Sequence, residues 1–445
     1  MRGRALCVAW GVRPEPALTL AALRIVVAAL VPMAPGFRES ARAAARDPAL
    51  WIAPEGLGWF VRHVPINGTL AIAAQVIVAF AAACAVAGVR ARLCFGVLSV
   101  VGFYLYAIAQ LAGHVWHDMH LLWFCALLAA SPCADVLAAD ARRPLRSEAK
   151  VYAVALTAFR LLLGAIYFFP GLRKLTTSGL AWALSDNLRN QLYWKWAEHG
   201  SVPSLRIDHA PWLLRAGGLG VLAFELSFVV LVSFRRTRAV AAAAGVAFHL
   251  LSQFVFRIPF ASLWLCYVAL FDLRPLLAWL PVEWRRRIDS GAAAAPVAPA
   301  PRDARAWPAA VVGGLLLVAA VVQGTRGQMR SYPFACYPTF EWIAGSDMPD
   351  LLIERVDATA GRGEVIHARS PGGYRTQRQW GEIWSLAGVT APVDARRLRA
   401  YYAALGQPAP AAGGMVTFQR VYRSVIPGEG GRITRRPVPL LTITP

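Results

Sequence analysis

Long apolar blocks separated by short basic or aromatic connections fill the first three quarters of the chain. A hydrocarbon core of about 30 Å takes about 20 apolar residues per helix, within a range of about 17–25. Blocks of this kind predict spans at Ala17–Met33, Gly68–Val89, Leu93–Leu111, Met119–Ala138, Tyr152–Gly171, Trp212–Phe234, Val240–Phe256 and Phe260–Leu280. A ninth and shortest span is predicted at Pro308–Gln323. Gly291–Ala306 is Ala/Pro-rich without helical period and reads as a linker. Beyond the ninth span the polarity becomes ordinary. Leu351-Leu352-Ile353 and Met415–Ile426 predict strands, and Leu398, Tyr401, Tyr402 and Leu405, spaced i, i+3, i+4, i+7, predict an amphipathic helix. The pattern therefore predicts an all-α polytopic membrane bundle with a small C-terminal α+β domain. Its parts are a membrane domain over 1–284, a basic linker over 285–306, a ninth helix over 307–324 and a tail over 325–445.

Composition sharpens this reading. Of 445 residues, 57% are hydrophobic and 16% charged, against roughly 45–50% and about 25% in soluble domains. An ordinary cytosolic enzyme and a disordered protein are both excluded. The net charge of +21 would suggest nucleic acid in a soluble chain. Here the arginines sit between apolar blocks, so they speak for topology and no nucleic-acid partner is expected. Arg2, Arg4 and Arg13 precede the first span; Arg90 and Arg92 follow the second; Arg142, Arg143, Arg146 and Lys150 follow the fourth. Arg235, Arg236 and Arg238 follow the sixth, and Arg285–Arg287, Arg302 and Arg305 follow the eighth. Every second connection is basic, which predicts an inner-membrane protein with a cytoplasmic N-terminus, no cleaved signal and an extracytoplasmic tail. The outer connection Leu172–Pro211 carries Leu184, Leu188 and Leu192 at i, i+4 spacing, then Tyr193, Trp194 and Trp196. It predicts a helix lying in the interface with its rings at headgroup depth. Seven scattered cysteines, with no C-x-x-C pair, give neither a metal cassette nor a disulfide framework.

The two halves echo each other. Ala17-Leu18-Thr19 leads into Leu23-Arg24 as Ala155-Leu156-Thr157 leads into Phe159-Arg160, and Leu122-Trp123-Phe124-Cys125 matches Leu263-Trp264-Leu265-Cys266, each with a glutamine (Gln110, Gln253) before it. Four helices per unit start both units on the same side, so the first eight helices read as two parallel four-helix repeats. Charge inside a bilayer costs roughly 2.5–3.5 kcal/mol on insertion scales, so Arg24, Arg160, Glu225 and His249 each need a partner or a task. Backbone carbonyls or Glu225 are candidate partners for the arginines; an arginine or His249 is the candidate partner for Glu225. His114, His117 and His120 spread around a helix at i, i+3, i+6 and read as a polar outer rim, with no metal assigned. Lys174, just past the fifth span, reads locally either as a snorkelling lysine or, under an apolar lid, as a proton acceptor.

A resemblance rests on several of these residues together. Arg24 in the first helix, Tyr167 followed by Gly171-Leu172-Arg173-Lys174-Leu175, Trp182 downstream, His120 before the fourth helix, Phe224-Glu225-Leu226 and Phe248-His249 occur in an order that resembles the vitamin K-dependent gamma-carboxylase-like, or HTTM (horizontally transferred transmembrane), proteins. The resemblance covers about Ala17–Leu280, and the four-helix repeat is also similar to the smaller DoxX-like membrane proteins. It implies that a lysine in the Lys-Lys-Leu stretch deprotonates a reduced membrane quinone. Lys174 matches that lysine, whereas Arg173 departs from its neighbour. His120 and His249 match residues that assist, which makes Lys174, His120 and His249 the candidate catalytic residues. Glu225, Arg24 and Arg160 are the candidate cofactor-binding residues. The tail departs from the large luminal portion of the carboxylases, and Tyr332-Pro333-Phe334 with Tyr337-Pro338-Thr339-Phe340 look like a motif after the last helix of bacterial relatives.

Two functions are expected. One is a carboxylase/epoxidase-like or other quinone- or lipid-using membrane enzyme. The other is a non-catalytic lipid-binding or assembly protein, with membrane lipids and an extracytoplasmic protein, docked through the tail, as partners. Transport has less support, since a parallel repeat without broken helices offers no midplane site.

Overall fold

The computed structural model describes residues 13–111, 118–141, 143–258, 260–279, 281–283, 306–327, 332–334, 340–356, 363–367, 377–390 and 392–444. Arg2, Arg4, His114, His117, Arg142, Arg285–Arg287, Arg302, Arg305, nearly all of the linker, and Tyr337-Pro338-Thr339 lie outside the described residues.

Helices α1 (Ala17–Met33) and α2 (Pro35–Ala44) are followed by α3 (Gly58–His63), α4 (Gly68–Ala87), α5 (Ala91–Ala109) and α6 (His120–Ala129). Then come α7 (Lys150–Ser178), α8 (Ala181–Leu184), α9 (Asn187–His199), α10 (Pro211–Ser233), α11 (Arg238–Phe256), α12 (Ala261–Trp264) and α13 (Trp307–Arg326). Among the described residues, seven helices are long and apolar enough to cross a membrane: Ala17–Ala44, which joins α1 and α2, and α4, α5, α7, α10, α11 and α13. Their outward faces are apolar, as on α4, where Ile72, Val76 and Phe80 stand exposed at i, i+4, i+8.

Two predicted spans are corrected. The fourth, expected over Met119–Ala138, is helical only over His120–Ala129. Pro132 supplies no N–H to continue the ladder and disfavours helical backbone at Ser131. The eighth, expected over Phe260–Leu280, is α12 followed by 3-10 turns at Leu265–Leu270 and Arg274–Trp279. The fifth is longer than expected, so Lys174 lies within α7 rather than past its end.

Packing sorts the helices. The apolar windows of α1 and α7 are 67% and 78% buried, against 22–28% for α10, α11 and α13, so α1 and α7 form the centre. Their starts are tied by a two-residue ladder of β1 (Glu15–Pro16) and β2 (Glu148–Ala149). Lipid supplies no hydrophobic drive between helices, so close backbone approach at small residues carries the packing. On α7, a side chain on Gly164 would meet the Val229 backbone of α10 at 2.8 Å, and one on Gly171 would meet Glu225 Cβ at 2.8 Å. These contacts make α10 antiparallel to α7. Helix α13 runs parallel to α7, with Gly313 on Ala158 and Gly324 on Phe169, so its C-terminal end emerges beside Arg173 at the Lys174 end of the bundle.

The two buried arginines have matching surroundings. Arg24 donates to the carbonyls of Cys133, Val136, Leu137 and Val86. Arg160 donates to the carbonyl of Ala269 at 2.8 Å and forms an ion pair with Glu15 at 2.8 Å. Each of the carbonyls of Cys133 and Ala269 stands 109 residues beyond its arginine. Glu15 also binds Arg238 at 2.9 Å. Burial alone would raise its carboxyl pKa, but the hydrogen bonds and charges of Arg160 and Arg238 outweigh this and hold it below the ordinary 4.5.

The tail is an antiparallel sheet in the order β4-β3-β5-β6, from β3 (Asp347–Val356), β4 (Gly363–His367), β5 (Met415–Ser424) and β6 (Val438–Ile443). Helices α14 (Gln377–Leu386) and α15 (Ala395–Ala404) accompany it, with the side chain of Asp394 capping α15. Ile353, Val416 and Phe418 of the sheet share a core with Leu398 and Tyr402 of α15, and with Leu50 of the membrane domain.

A group with a depressed folded pKa contributes stability above its unfolded pKa and loses it as pH falls through the folded value. The thermal midpoint of the purified protein is therefore expected to drop as pH falls below about 4.5, and to drop less in Glu15→Gln. Gly164→Leu should cost about 1–3 kcal/mol by overpacking. Gly314→Leu, at a helical glycine with open space around it, should leave the midpoint near wild type. Equal midpoints for the two variants would contradict the close crossing of α7 and α10.

Candidate functional site

Helix α7 turns Ile166, Tyr167, Pro170 and Lys174 onto one face at helical spacing, and that face lines a cavity of about 120 Å³. On the same measure a single water needs roughly 10–15 Å³. Helix α10 contributes Val221 and Glu225, α11 contributes Phe248, His249, Ser252 and Phe256, and the segment after it contributes Phe260 and Leu263. The wall is closed by Trp182, by Leu188, Gln191 and Lys195 of α9, and by Phe340 on the approach to the tail. The lining is mainly apolar and aromatic, with a few convergent polar groups, as in ligand sites generally.

Lys174 and Glu225 are the charged centre of this cavity, and both are buried. Lys174 Nζ donates to Glu225 Oε1 at 2.5 Å and Oε2 at 2.7 Å, and lies 5.1 Å from the centre of the Trp182 ring. Two carboxylate oxygens and an aromatic face thus occupy the three N–H donors of the ammonium. The pair exists because Gly171 lets α10 close on α7 at Glu225. The expected partner for Glu225, an arginine or His249, is therefore replaced by Lys174.

His249 is buried in an aromatic cage, with the Phe248 and Phe260 rings each 5.2 Å away. Its Nε2 meets the hydroxyl of Tyr167 at 2.5 Å and that of Tyr267 at 3.3 Å, and the two hydroxyls are 2.5 Å apart. Its Nδ1 is buried without a hydrogen-bond partner.

The other predicted residues lie elsewhere. His120 is fully buried behind the wall, where its Nε2 donates to the Ser262 carbonyl at 2.9 Å, and Ser262 Oγ donates to Asp118. Arg24 and Arg160 are not brought to the cavity. Both are held by the carbonyl and carboxylate partners given above, and Glu15 rather than Glu225 serves Arg160. Among the described residues no group of three or more His, Cys, Asp or Glu is placed to hold a metal.

Sequence reasoning missed Gln191, Lys195, Tyr267 and Phe340. Leu188, Gln191 and Lys195 share one face at i, i+3, i+7, a legible signal on a helix assigned to the lipid interface. That assignment is corrected. Trp196 is buried, and Trp194 Nε1 donates to the Gly345 carbonyl at 2.8 Å, so its ring anchors the tail rather than the headgroups. The segment Phe340–Gly345 is strapped across the cavity mouth. Trp182 Nε1 donates to the Phe340 carbonyl at 2.6 Å, Ser178 Oγ to the Glu341 carbonyl at 2.7 Å, and Asn190 Nδ2 to the Ala344 carbonyl at 2.8 Å. Arg173 pairs with Glu341 at 3.1 Å.

A bundle of spanning helices with a compensated charge pair in an aromatic cavity defines a multi-pass membrane protein with an enclosed ligand site. The HTTM domain matches residues 12–273, more than half of the chain, and the chain belongs to that family, whose members are membrane proteins of the vitamin K-dependent carboxylase-like kind. No curated protein and no solved structure matches it.

Removing one partner of a buried ion pair leaves the other charge uncompensated, at a cost of about 3–5 kcal/mol. Lys174→Met and Glu225→Gln should each lower the thermal midpoint strongly, and the double variant should recover most of the loss. Additive losses in that cycle would show that the two groups do not interact.

Proposed function

We propose that this protein is a membrane enzyme acting on a lipid-soluble, hydroxyl-bearing ligand of the quinone class, with Lys174 as the proton acceptor. The observation that carries the reading is the Lys174–Glu225 pair, buried and set in the wall of an aromatic cavity. Flat aromatic walls from Trp182, Phe248 and Phe260 fit a planar ring, and polar groups at Lys174–Glu225 and at His249 fit oxygen substituents. A reduced quinone, when bound, supplies an acidic phenolic hydroxyl.

The chemistry of the chain follows from the pair. With both carboxylate oxygens within 2.7 Å of Nζ, a proton passes from Lys174 to Glu225 with little movement. The neutral amine that remains accepts a proton from a ligand hydroxyl, and the ammonium so formed lies beside the ligand oxyanion. Trp182 and the Phe340 strap exclude water, which strengthens that interaction. His120, one layer behind the wall, acts at most through the Ser262 segment.

The architecture proposed around this site is the pair of parallel four-helix repeats, each with its fourth helix short. It is supported by the common 109-residue spacing from Arg24 and Arg160 to their carbonyl partners. We place the protein in the inner membrane with the basic connections in the cytoplasm. The cavity and tail then both face outward, because α13 runs parallel to α7. Non-catalytic lipid binding or membrane assembly is the rival reading, with the tail as the docking element for an extracytoplasmic partner.

Extraction of the purified protein and mass spectrometry of its bound lipids should find a quinone-class molecule near one per chain. Added menadiol should be consumed by the wild type and about 10²-fold or more slowly by the Lys174→Met/Glu225→Gln double variant. Bulk phospholipid alone, with equal rates in both proteins, would turn the assignment toward lipid binding or assembly.

A further inference from the structure

His249 and the two tyrosines behind it pose a problem of hydrogen counting. With a neutral imidazole the cluster has three hydrogens to place, one each on Tyr167, Tyr267 and the ring. Suppose Nε2 carries the ring hydrogen. It then donates to Tyr167, Tyr167 donates to Tyr267, and the Tyr267 hydroxyl is left with a buried hydrogen and no acceptor, while Nδ1 is left as a second unmet group. Suppose instead that Nδ1 carries it. Tyr267 then donates to Tyr167, Tyr167 donates to Nε2, and both contacts of 2.5 Å are used. One stranded donor remains, Nδ1–H.

Buried polar groups are hydrogen-bonded in the great majority of native structures, and leaving a donor unmet is costly. The arrangement with fewer unmet groups leaves its donor on a residue that lines the cavity. Tyr267 is buried but does not line it. Nδ1 meets no protein group.

We infer that the Tyr267–Tyr167 chain holds His249 as its Nδ1–H tautomer, and that this donor anchors an oxygen acceptor of the cavity's ligand. The inference rests on the cavity being the ligand site proposed above. It adds a second polar contact to that of Lys174 and makes Tyr167 and Tyr267 positioning residues. Tyr167 and Lys174 are seven residues apart on the same face of α7, about 10 Å along the axis. The ligand class is therefore a flat apolar molecule carrying oxygen functions at separate ends, as quinones do, rather than one with a single polar head. A phospholipid or fatty acid, polar at one end only, satisfies one of these contacts and leaves the other unmet.

The test uses the full chain, labelled with ¹⁵N-histidine, in lipid nanodiscs. A His249→Asn variant assigns the resonance. The expected spectrum has a protonated Nδ1 and an unprotonated Nε2, with an Nε2–H population emerging in Tyr267→Phe, which removes one hydroxyl and keeps the ring. An Nε2–H tautomer in the wild type would overturn the inference. Menadione, which carries two carbonyl oxygens, should shift the Nδ1–H signal, whereas 2-methylnaphthalene, the same ring system without oxygens, should not. Menadione affinity, read by calorimetry, should fall about five- to ten-fold in Tyr267→Phe. Unchanged affinity in Tyr267→Phe and His249→Asn, with a loss confined to the Lys174→Met/Glu225→Gln double variant, removes this inference and leaves the proposed function standing. The converse result supports the histidine donor and removes the lysine from ligand recognition.

Discussion

A charge placed inside a membrane protein must be met by another charge or by backbone dipoles, and the compensation of Lys174 by Glu225 organises the rest of this molecule. The contact requires α10 to come within reach of α7, which requires a glycine at 171. It requires the carboxylate to be buried along with the amine, which sets the aromatic walls around both. It also requires a lid, since an open ion pair would be hydrated and weakened. Trp182, α9 and the strap before the tail supply that lid, and each is held by hydrogen bonds to the other two or to the end of α7.

The same requirement is solved differently at Arg24 and Arg160. There the compensation comes mostly from carbonyls left free where a helix stops short. A full-length fourth or eighth span would have consumed those carbonyls in its own ladder. The truncated helices and the buried arginines are thus two parts of one arrangement, and it explains why apolar segments of spanning length are not helical throughout.

Much of this was legible in the apolar pattern. Seven of the nine predicted spans match long helices, the tail strands at Leu351-Leu352-Ile353 and Met415–Ile426 are present, and the four tail residues at i, i+3, i+4, i+7 lie on or at the end of α15. Lys174, Glu225 and His249 were singled out as polar residues in apolar surroundings, and they line one cavity. Pattern reading failed where identity depends on a distant partner. Ser131-Pro132 ends a helix that hydropathy continues. Glu15 lies outside every apolar block, so nothing local marks it as the counter-ion of Arg160. Strands β4 and β6 are short edge strands, β6 with Pro439 in it, and edges carry little alternation. The rings of Tyr193, Trp194 and Trp196 look like an interfacial belt because periodicity reports which face is apolar, not whether lipid or protein covers it.

The parallel course of α13 and α7 has a consequence for how the molecule is divided. The family domain ends at residue 273, yet the cavity wall includes Phe340, reached only through α13 and the strap. The unit of sequence kinship and the unit of chemistry are therefore different objects. The domain holds the proton-bearing groups, and a segment outside it determines how much water they see. A ribosome-bound chain that has inserted all of the HTTM domain still has an unsealed site, which closes only when the last membrane helix has crossed and its following residues have folded back. The ninth helix is in that sense a tether, carrying a wall of the reaction chamber back to the face of the membrane where the chamber opens.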